Sequence, residues 1–414
     1  MTSDLRRMGS SLALASLLLC LAQSATAQLY SAWSAPVNLN ALTLRDGTAC
    51  PPVVNSAFND THPAISKDGL SLFFASTRPG PDSNGEVGLG DYDLWVAQRE
   101  SVDDCWLPPV NLGAVVNSSA IDFAPNLSTD GHWLFFHSKR PGGCGAGANL
   151  WVTHRRHKPD ALGWETPVNL GCTINTPGFD SAGPTYVEDE QTDTRFLYFT
   201  RKPTSTGPAP DDFLYDVYVS TCTAELAACN LRGLWQSAVP VDALNSPFRD
   251  TRTAIRQRDG LEIILSSGRP GTLASENLWV STRATIQDQS WLPAVPINCE
   301  WQQNVTAILN LMPLPLPCSS WAPVDPAGTT LFVNSAAFDG GPALSWEGTE
   351  LYFFRVRSDL ASLLGCQDPT GVPACRDLYV SKRTKLAGSS ESDRDHDSAV
   401  ADKNPAEAGS VSLQ

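Results

Sequence analysis

The chain has 414 residues, more than one compact core of ordinary size takes up, which leaves two domains or a repeat architecture. Its formal charge at pH 7 is -15, and this excludes a nucleic-acid backbone as partner, because such binders need clustered Lys and Arg to displace counterions. Past the N-terminal segment no apolar run approaches the ~20 residues that cross a bilayer, so no transmembrane segment is expected in the mature chain.

Residues 1–27 read as an export signal. Arg6 and Arg7 precede the apolar run "LALASLLLCLA", and "ATA" ending at Ala27 offers a small-residue cleavage site. "RRMGSS" lacks the apolar residues that follow a twin-arginine pair, and Cys20 follows Leu rather than the small residue a lipid anchor needs. The mature protein is therefore expected to be periplasmic or secreted. Of 11 cysteines, ten remain without Cys20, an even number that points to disulfides in an oxidising compartment. Nearest-neighbour pairing joins Cys50 to Cys105, Cys144 to Cys172, Cys222 to Cys229, Cys299 to Cys318 and Cys366 to Cys375.

From Asn55 a phrase, "NSAFNDTHPAISKDGLSLFFASTRPG", opens a pattern that returns from Asn117 as "NSSAIDFAPNLSTDGHWLFFHSKRPG". Five copies begin with Asn-(Ser/Thr) and an Asp five residues after the Asn: Asn55/Asp60, Asn117/Asp122, Asn175/Asp180, Asn245/Asp250 and Asn334/Asp339. An aromatic or aliphatic anchor precedes each Asp. Next comes a turn such as "KDG", "TDG" or "RDG" and an apolar run, and Asp-Gly between two β-prone runs is a strong hairpin signal. A Gly- and Pro-rich loop then carries Arg78, Arg140, Arg201, Arg269 or Arg357, and a third strand follows as "DLWVAQR", "NLWVTHR", "DVYVSTC", "NLWVSTR" and "DLYVSKR".

A fourth, short element follows Trp106, Trp164, Trp235 and Trp291. None follows the fifth copy; one lies ahead of the first, after Trp33. Such a displacement makes sense in a closed ring whose N-terminal strand completes the last sheet. The predicted fold is therefore all-β: a five-bladed β-propeller of four-stranded antiparallel blades over residues 28–385, read as a monomer. Surplus chain falls in an insertion between Pro296 and Leu331, and 386–414, without apolar period, reads as a disordered tail.

The combination D-x-x-P, S-x-D-G, S-x-R-P-G and D-L-W-V resembles the WD40-like repeat of TolB-type propellers, found in many exported bacterial proteins. "DFAPNLSTDGHWLFFHSKRPG" and "THPAISKDGLSLFFASTRPG" carry the likeness best. The third copy has an extra residue in "DSAGP" and "EDEQTD" for its turn, the fourth has Thr253 in place of Pro, and the fifth has "WEGTE". The resemblance implies a propeller; proteins that look like this include protein-binding modules, peptidase-associated propellers and polysaccharide-degrading enzymes.

A catalytic group is needed at one place, whereas Asp60, Asp122, Asp180, Asp250 and Asp339 recur once per blade. They read as structural acceptors for the N–H groups of their own turns. The rival is a ring of carboxylates sharing a cation such as Ca²⁺. The recurring arginines read as partners of those carboxylates, and the Trp series as outer-strand packing.

Function belongs where the copies differ. Two residues past each Asp stand His62, Ala124, Ala182, Arg252 and Gly341, expected to line the central channel. His62 is a candidate base or metal ligand and Arg252 a candidate receptor for carboxylate or sulfate. Asn126, Tyr186 and Arg256 lie nearby as binding candidates. Glu188, Asp189, Glu190 and Asp193 form either a solvated charge run or a calcium site. The sequence thus supports an exported module binding a protein or polysaccharide, with a carbohydrate-active hydrolase or polysaccharide lyase at the channel mouth as the alternative.

Overall fold

The structure, a computed structural model, describes residues 30–204, 215–270, 274, 276–297, 333–357 and 375–386. The predicted signal (1–27), the body of the insertion (298–332), the tail beyond Leu386, and Cys299, Cys318 and Cys366 lie outside the described residues. Two units are distinguished, 32–384 and the two chain ends. In the second, Tyr30 and Lys385 form an antiparallel bridge.

The larger unit is a five-bladed propeller. Its first strand is Val37–Asn38 (β1). The first blade holds Asp60–Ile65 (β2), Ser71–Ser76 (β3), Asp93–Gln98 (β4) and Val110–Asn111 (β5). Asp122–Leu127 (β6), Trp133–Ser138 (β7), Asn149–His154 (β8) and Val168–Asn169 (β9) make the second. The third comprises Phe179–Asp189 (β10), Thr194–Pro203 (β11), Asp216–Cys222 (β12) and Val239–Pro240 (β13). Asp250–Ile255 (β14), Glu262–Ser267 (β15), Asn277–Thr282 (β16) and Val295–Pro296 (β17) form the fourth. The fifth takes Asp339–Leu344 (β18), Glu350–Arg357 (β19) and Cys375–Lys382 (β20), and β1 completes it by pairing Val37 with Val380 and Asn38 with Tyr379. The clasp expected from the displaced Trp33 element is thus present.

Each blade packs a neighbour on both faces, so the middle strands are apolar without alternation. Leu72, Phe73, Phe74 and Ala75 are all fully buried, as are Leu134, Phe135 and Phe136. The hairpin turns need left-handed backbone, supplied by Gly69, Gly131 and Gly260, and in "WEGTE" by Gly348. Trp33, Trp106, Trp164, Trp235 and Trp291 are buried. Over four of them lies an arginine from the end of the third strand, Arg383, Arg99, Arg155 and Arg283 respectively. Each of these also donates its Nε–H to the carbonyl of the turn glycine, for example Arg155 to Gly131 at 2.9 Å.

The recurring Asn is a staple between blades. Asn117 bonds the backbone N–H and C=O of Leu94 in the preceding blade. Asn175, Asn245 and Asn334 do the same to Leu150, Val217 and Leu278. Asn55 closes the circle on Leu378, 323 residues away.

The recurring Asp is structural. Asp60 accepts from Ser56 N and Oγ (2.5 and 2.8 Å), from Ser76 Oγ (2.7 Å) and from Arg78 Nη2 (2.5 Å). Asp122, Asp250 and Asp339 are fully buried in the same way against Arg140, Arg269 and Arg355.

Two assignments need correction. In the third blade the extra residue slips the register, so Ser181 pairs across the strands with Arg201 as Asp60 does with Ser76. Asp180 is displaced and accepts instead from Ala148 N at 2.6 Å. In the fifth blade Arg355, two residues before the predicted Arg357, reaches the Asp; Arg357 bonds Tyr379 Oη at 3.0 Å. Four of the five carboxylates are engaged by their own serine and arginine, and Asp180 by Ala148 N. No cluster of three or more His, Cys, Asp or Glu among the described residues is placed to hold a metal.

Cys50–Cys105, Cys144–Cys172 and Cys222–Cys229 are bonded as expected, and Cys375 is also in a disulfide. Short helices Gly113–Val116 (α1) and Leu226–Arg232 (α2) fill loops, and none among the described residues is long and apolar enough to cross a membrane.

Candidate functional site

Every innermost strand breaks register once, just past the Asp position. At the break stands a residue with positive φ: His62 (50°), Ala124 (54°), Gly183 (59°), Arg252 (23°) and Gly341 (60°). The predicted ring of channel residues is this ring of bulges, with Gly183 rather than Ala182 as its third member. Non-glycine residues in that region cost of order 1–3 kcal/mol each, so His62 and Arg252 are held there by their surroundings.

What holds Arg252 is a set of backbone carbonyls. Its guanidinium leaves the fourth blade and donates to Ala124 O (3.0 Å), Pro125 O (2.6 Å) and Pro184 O (3.1 Å) of the second and third. The side chain is buried, and burial pulls its pKa down to about 9, which still leaves it charged at neutral pH. Arg252 is therefore an axial plug: three of its N–H donors go to carbonyls, and its Nε is buried without a hydrogen-bond partner. Toward the turn end the channel keeps a cavity of about 20 Å³ bordered by Ala64, Asn126, Thr185, Ala254 and Ala343. That is room for about one water, far below the few hundred Å³ of a small-ligand pocket.

The predicted binding residues have partners within the fold. Asn126 borders the cavity and accepts from Tyr186 N at 2.8 Å. Tyr186 is fully buried and donates to Glu188 at 2.7 Å; burial first, then Glu188, pushes its phenol pKa up. Arg256 donates to Asp259 (2.8 Å) and Glu262 (2.6 Å). At the β10–β11 hairpin, Glu188, Asp189, Glu190 and Asp193 surround a depression of about 180 Å³ with Arg195.

His62 sits between the rings of Phe123 (4.3 Å) and Phe354 (5.2 Å), with Nδ1 at 2.9 Å from Thr61 Oγ1. Burial, then the charge of Arg252, holds its pKa well below the usual 6.5, so the imidazole is neutral. His137 is treated alike, its pKa lowered to about 3 by burial and Arg252, and its Nδ1 accepts from Gly183 N at 3.2 Å.

Outside this floor, around the N-terminal ends of the innermost strands, lies a mouth that combines aromatics and cations. Tyr92 packs on Phe123 (4.7 Å) and accepts from Arg376 Nη1 (3.1 Å). Phe338 stacks on Phe354 at 5.5 Å. Arg249, its side chain 39% exposed, lies 3.6 Å from the Glu276 carboxylate and 5.6 Å from the Tyr215 ring. Glu276 accepts from Thr251 Oγ1 at 2.8 Å, and burial raises its pKa against the pull of Arg249. On the rim, Phe58 and Phe248 are 41% and 43% exposed.

Arg249, Arg376, Glu276 and Tyr92 escaped the sequence reading, although a signal existed. Tyr92, Ala148, Tyr215 and Glu276 stand directly before the third strand, and Arg376 holds the equivalent place one residue inside β20, before Asp377. The variation among copies at that position is the signal.

No family model and no curated protein matches the chain. Similar solved structures include the α-L-arabinofuranosidase of Podospora anserina in complex with cellotriose, 11% identical, covering 88% of this chain and 99% of that one, with a TM-score of 0.43. The GH43_1 enzyme of Xanthomonas citri complexed with xylotriose is 13% identical over 86% of this chain and 92% of that one, TM-score 0.43. A protein assigned as TolB from Agrobacterium tumefaciens is 13% identical over 72% and 69%, TM-score 0.34. Glycoside hydrolases predominate among such neighbours. At these identities and scores neither their chemistry nor their ligands transfer to this chain.

Proposed function

We propose that this protein is an exported, TolB-like binding module, monomeric, periplasmic or secreted, that takes a glycan on the mouth around the N-terminal ends of its innermost strands. The observation that carries the reading is the Arg252 plug, which closes the axis beneath a surface set with aromatic rings. Such a surface offers flat apolar faces for sugar rings and polar donors beside them. Export is supported by the three disulfides, which persist in oxidising compartments. Affinity electrophoresis and calorimetry against a panel of neutral and acidic polysaccharides test it: Phe58→Ala/Phe248→Ala should weaken binding about tenfold, a loss of about 1.4 kcal/mol. Wild-type protein that retains a protein ligand but no glycan would sink it.

A carbohydrate-active enzyme using the same mouth is the second reading, favoured by Glu276. A carboxyl held toward its protonated form beside an arginine suits a general acid, and neutral His62 suits the base of a lyase. Glu276→Gln and His62→Ala should then abolish turnover of a polysaccharide that the wild type cleaves, read as new reducing ends or unsaturated product. Absence of turnover by wild type across the panel removes this reading.

A further inference from the structure

We propose that the mouth contains a subsite for the carboxylate of an acidic sugar, with Arg249 as its principal donor and Arg376 beside it. The inference rests on the glycan reading above and narrows it. The arginines that build the blades spend their donors on a buried Asp or on a turn carbonyl. Arg249 and Arg376 depart from that habit. Arg249 Nε lies out of solvent without a hydrogen-bond partner, and its nearest carboxylate oxygen, on Glu276, stands at 3.6 Å. Arg376 bonds the Tyr92 hydroxyl at 3.1 Å and, among the described residues, no carboxylate.

Both guanidiniums border the same mouth: Arg376 lies 5.8 Å over the Phe354 ring on which Phe338 stacks, and Arg249 faces Glu276, whose backbone carbonyl accepts from Asp339 N, the residue after Phe338. Two like charges at one mouth repel each other. Glu276 resolves it only in part, since it stands 3.6 Å from Arg249 Nε, beyond hydrogen-bond distance. An incoming carboxylate relieves it further: a planar guanidinium matches it with paired N–H donors. Phe123 and Phe338, half-buried next to these cations, offer ring faces to the apolar side of the same sugar.

The test is calorimetry with a galacturonate hexasaccharide and its full methyl ester, which keeps the ring and removes the charge. Wild type should bind the acid about tenfold more tightly than the ester, and Arg249→Gln and Arg376→Gln should each erase that preference while leaving ester affinity unchanged. Lys67→Gln makes the same charge change at the opposite end of β2, where Lys67 lies 3.8 Å over the Trp346 ring, and should change nothing. Matching thermal midpoints establish that the variants are folded. Equal affinity for acid and ester, or a Lys67→Gln loss as large as that of Arg249→Gln, overturns the subsite. Binding of neutral glycans alone, or of a sulfated galactan but not the hexasaccharide, overturns it while the glycan reading stands; binding of no glycan overturns both.

Discussion

The second and third blades share one plan and carry it out differently. In the second, six-residue strands β6 and β7 meet at Gly131, and Arg155 from the end of β8 ties that turn down and lies over Trp164 at 4.5 Å. In the third, β10 and β11 run to 11 and 10 residues, the turn has no glycine, and Asp193 carries its positive φ. Where Arg155 would stand there is Cys222, cross-linked to Cys229. The arginine clamp serves a glycine turn; once that turn is rebuilt the clamp goes too, and a covalent link holds the corner. The Asp–Arg pair is lost along with it, since Ser181 faces Arg201, whose Nη2 reaches only Ile174 O at 2.8 Å. Repeat features are kept or lost as mechanical sets.

The sharpest way to break this comparison is to cut the same letter from both copies. Asp122→Ala strands the Arg140 guanidinium in a buried site and should cost about 3–5 kcal/mol, the usual penalty for orphaning a buried charge. Asp180→Ala removes a carboxylate that lies 3.9 Å from Lys202 and caps one N–H, and should cost no more than about 1–2 kcal/mol. Urea midpoints at neutral pH check the pair, and equal losses would mean that Asp180 still does the repeat's work. Next in size is the covalent substitute. Cys222→Ser/Cys229→Ser opens a link spanning 7 residues and should cost about 2–3 kcal/mol by loop-closure entropy. Reduction of wild type without any change in midpoint would contradict that role.

How much of this was legible depends on whether a residue's partner is local. Five copies, the N-terminal strand completing the last blade, and the pairings of Cys50, Cys144 and Cys222 follow from spacing, because hairpins and short loops bring near neighbours together. The staples did not follow. Asn55 can be seen to recur, but its partner Leu378 is met only when the ring closes. Nor could Asp180 be told from its fellows by counting from the Asn; only the pairing of Ser181 with Arg201 reveals the slip. Arg252 stands out among the copies by residue type, yet the bulge that aims it across the axis at carbonyls, groups that every residue possesses, is not written in the spacing. The mouth was hidden because its residues come from several blades at once.

The seam between the two blades gives a pH test. His137 of the second blade accepts from Gly183 N of the third, and its pKa is lowered to about 3 from 6.5. A histidine depressed in the folded state binds its proton more readily when unfolded, so stability is intact above pH 6.5 and falls as the pH drops toward 3. The slope is bounded at about 1.4 kcal/mol per pH unit for each such group, and His62 contributes in the same direction. Denaturation midpoints measured from pH 7 to 4 should fall less steeply in His137→Asn than in wild type.

The smallest expected effect is the most discriminating. Arg201 is buried among the rings of Phe179, Phe199 and Tyr218 with no carboxylate partner among the described residues, and burial lowers its pKa. Its charge has already paid for desolvation without the compensation Arg140 receives. Arg201→Met should therefore shift stability by less than about 1 kcal/mol, a long apolar chain replacing the stem and only the bond to Ile174 being lost. Ser181→Asp, which restores the carboxylate opposite it, should add roughly 1 kcal/mol in the Arg201 background and remove stability in the Arg201→Met background, where the new charge has no partner. A double-mutant cycle on urea midpoints reads that coupling directly. Coupling near zero would show that the third blade has reshaped the slot itself, so that an arginine and an aspartate placed there no longer meet.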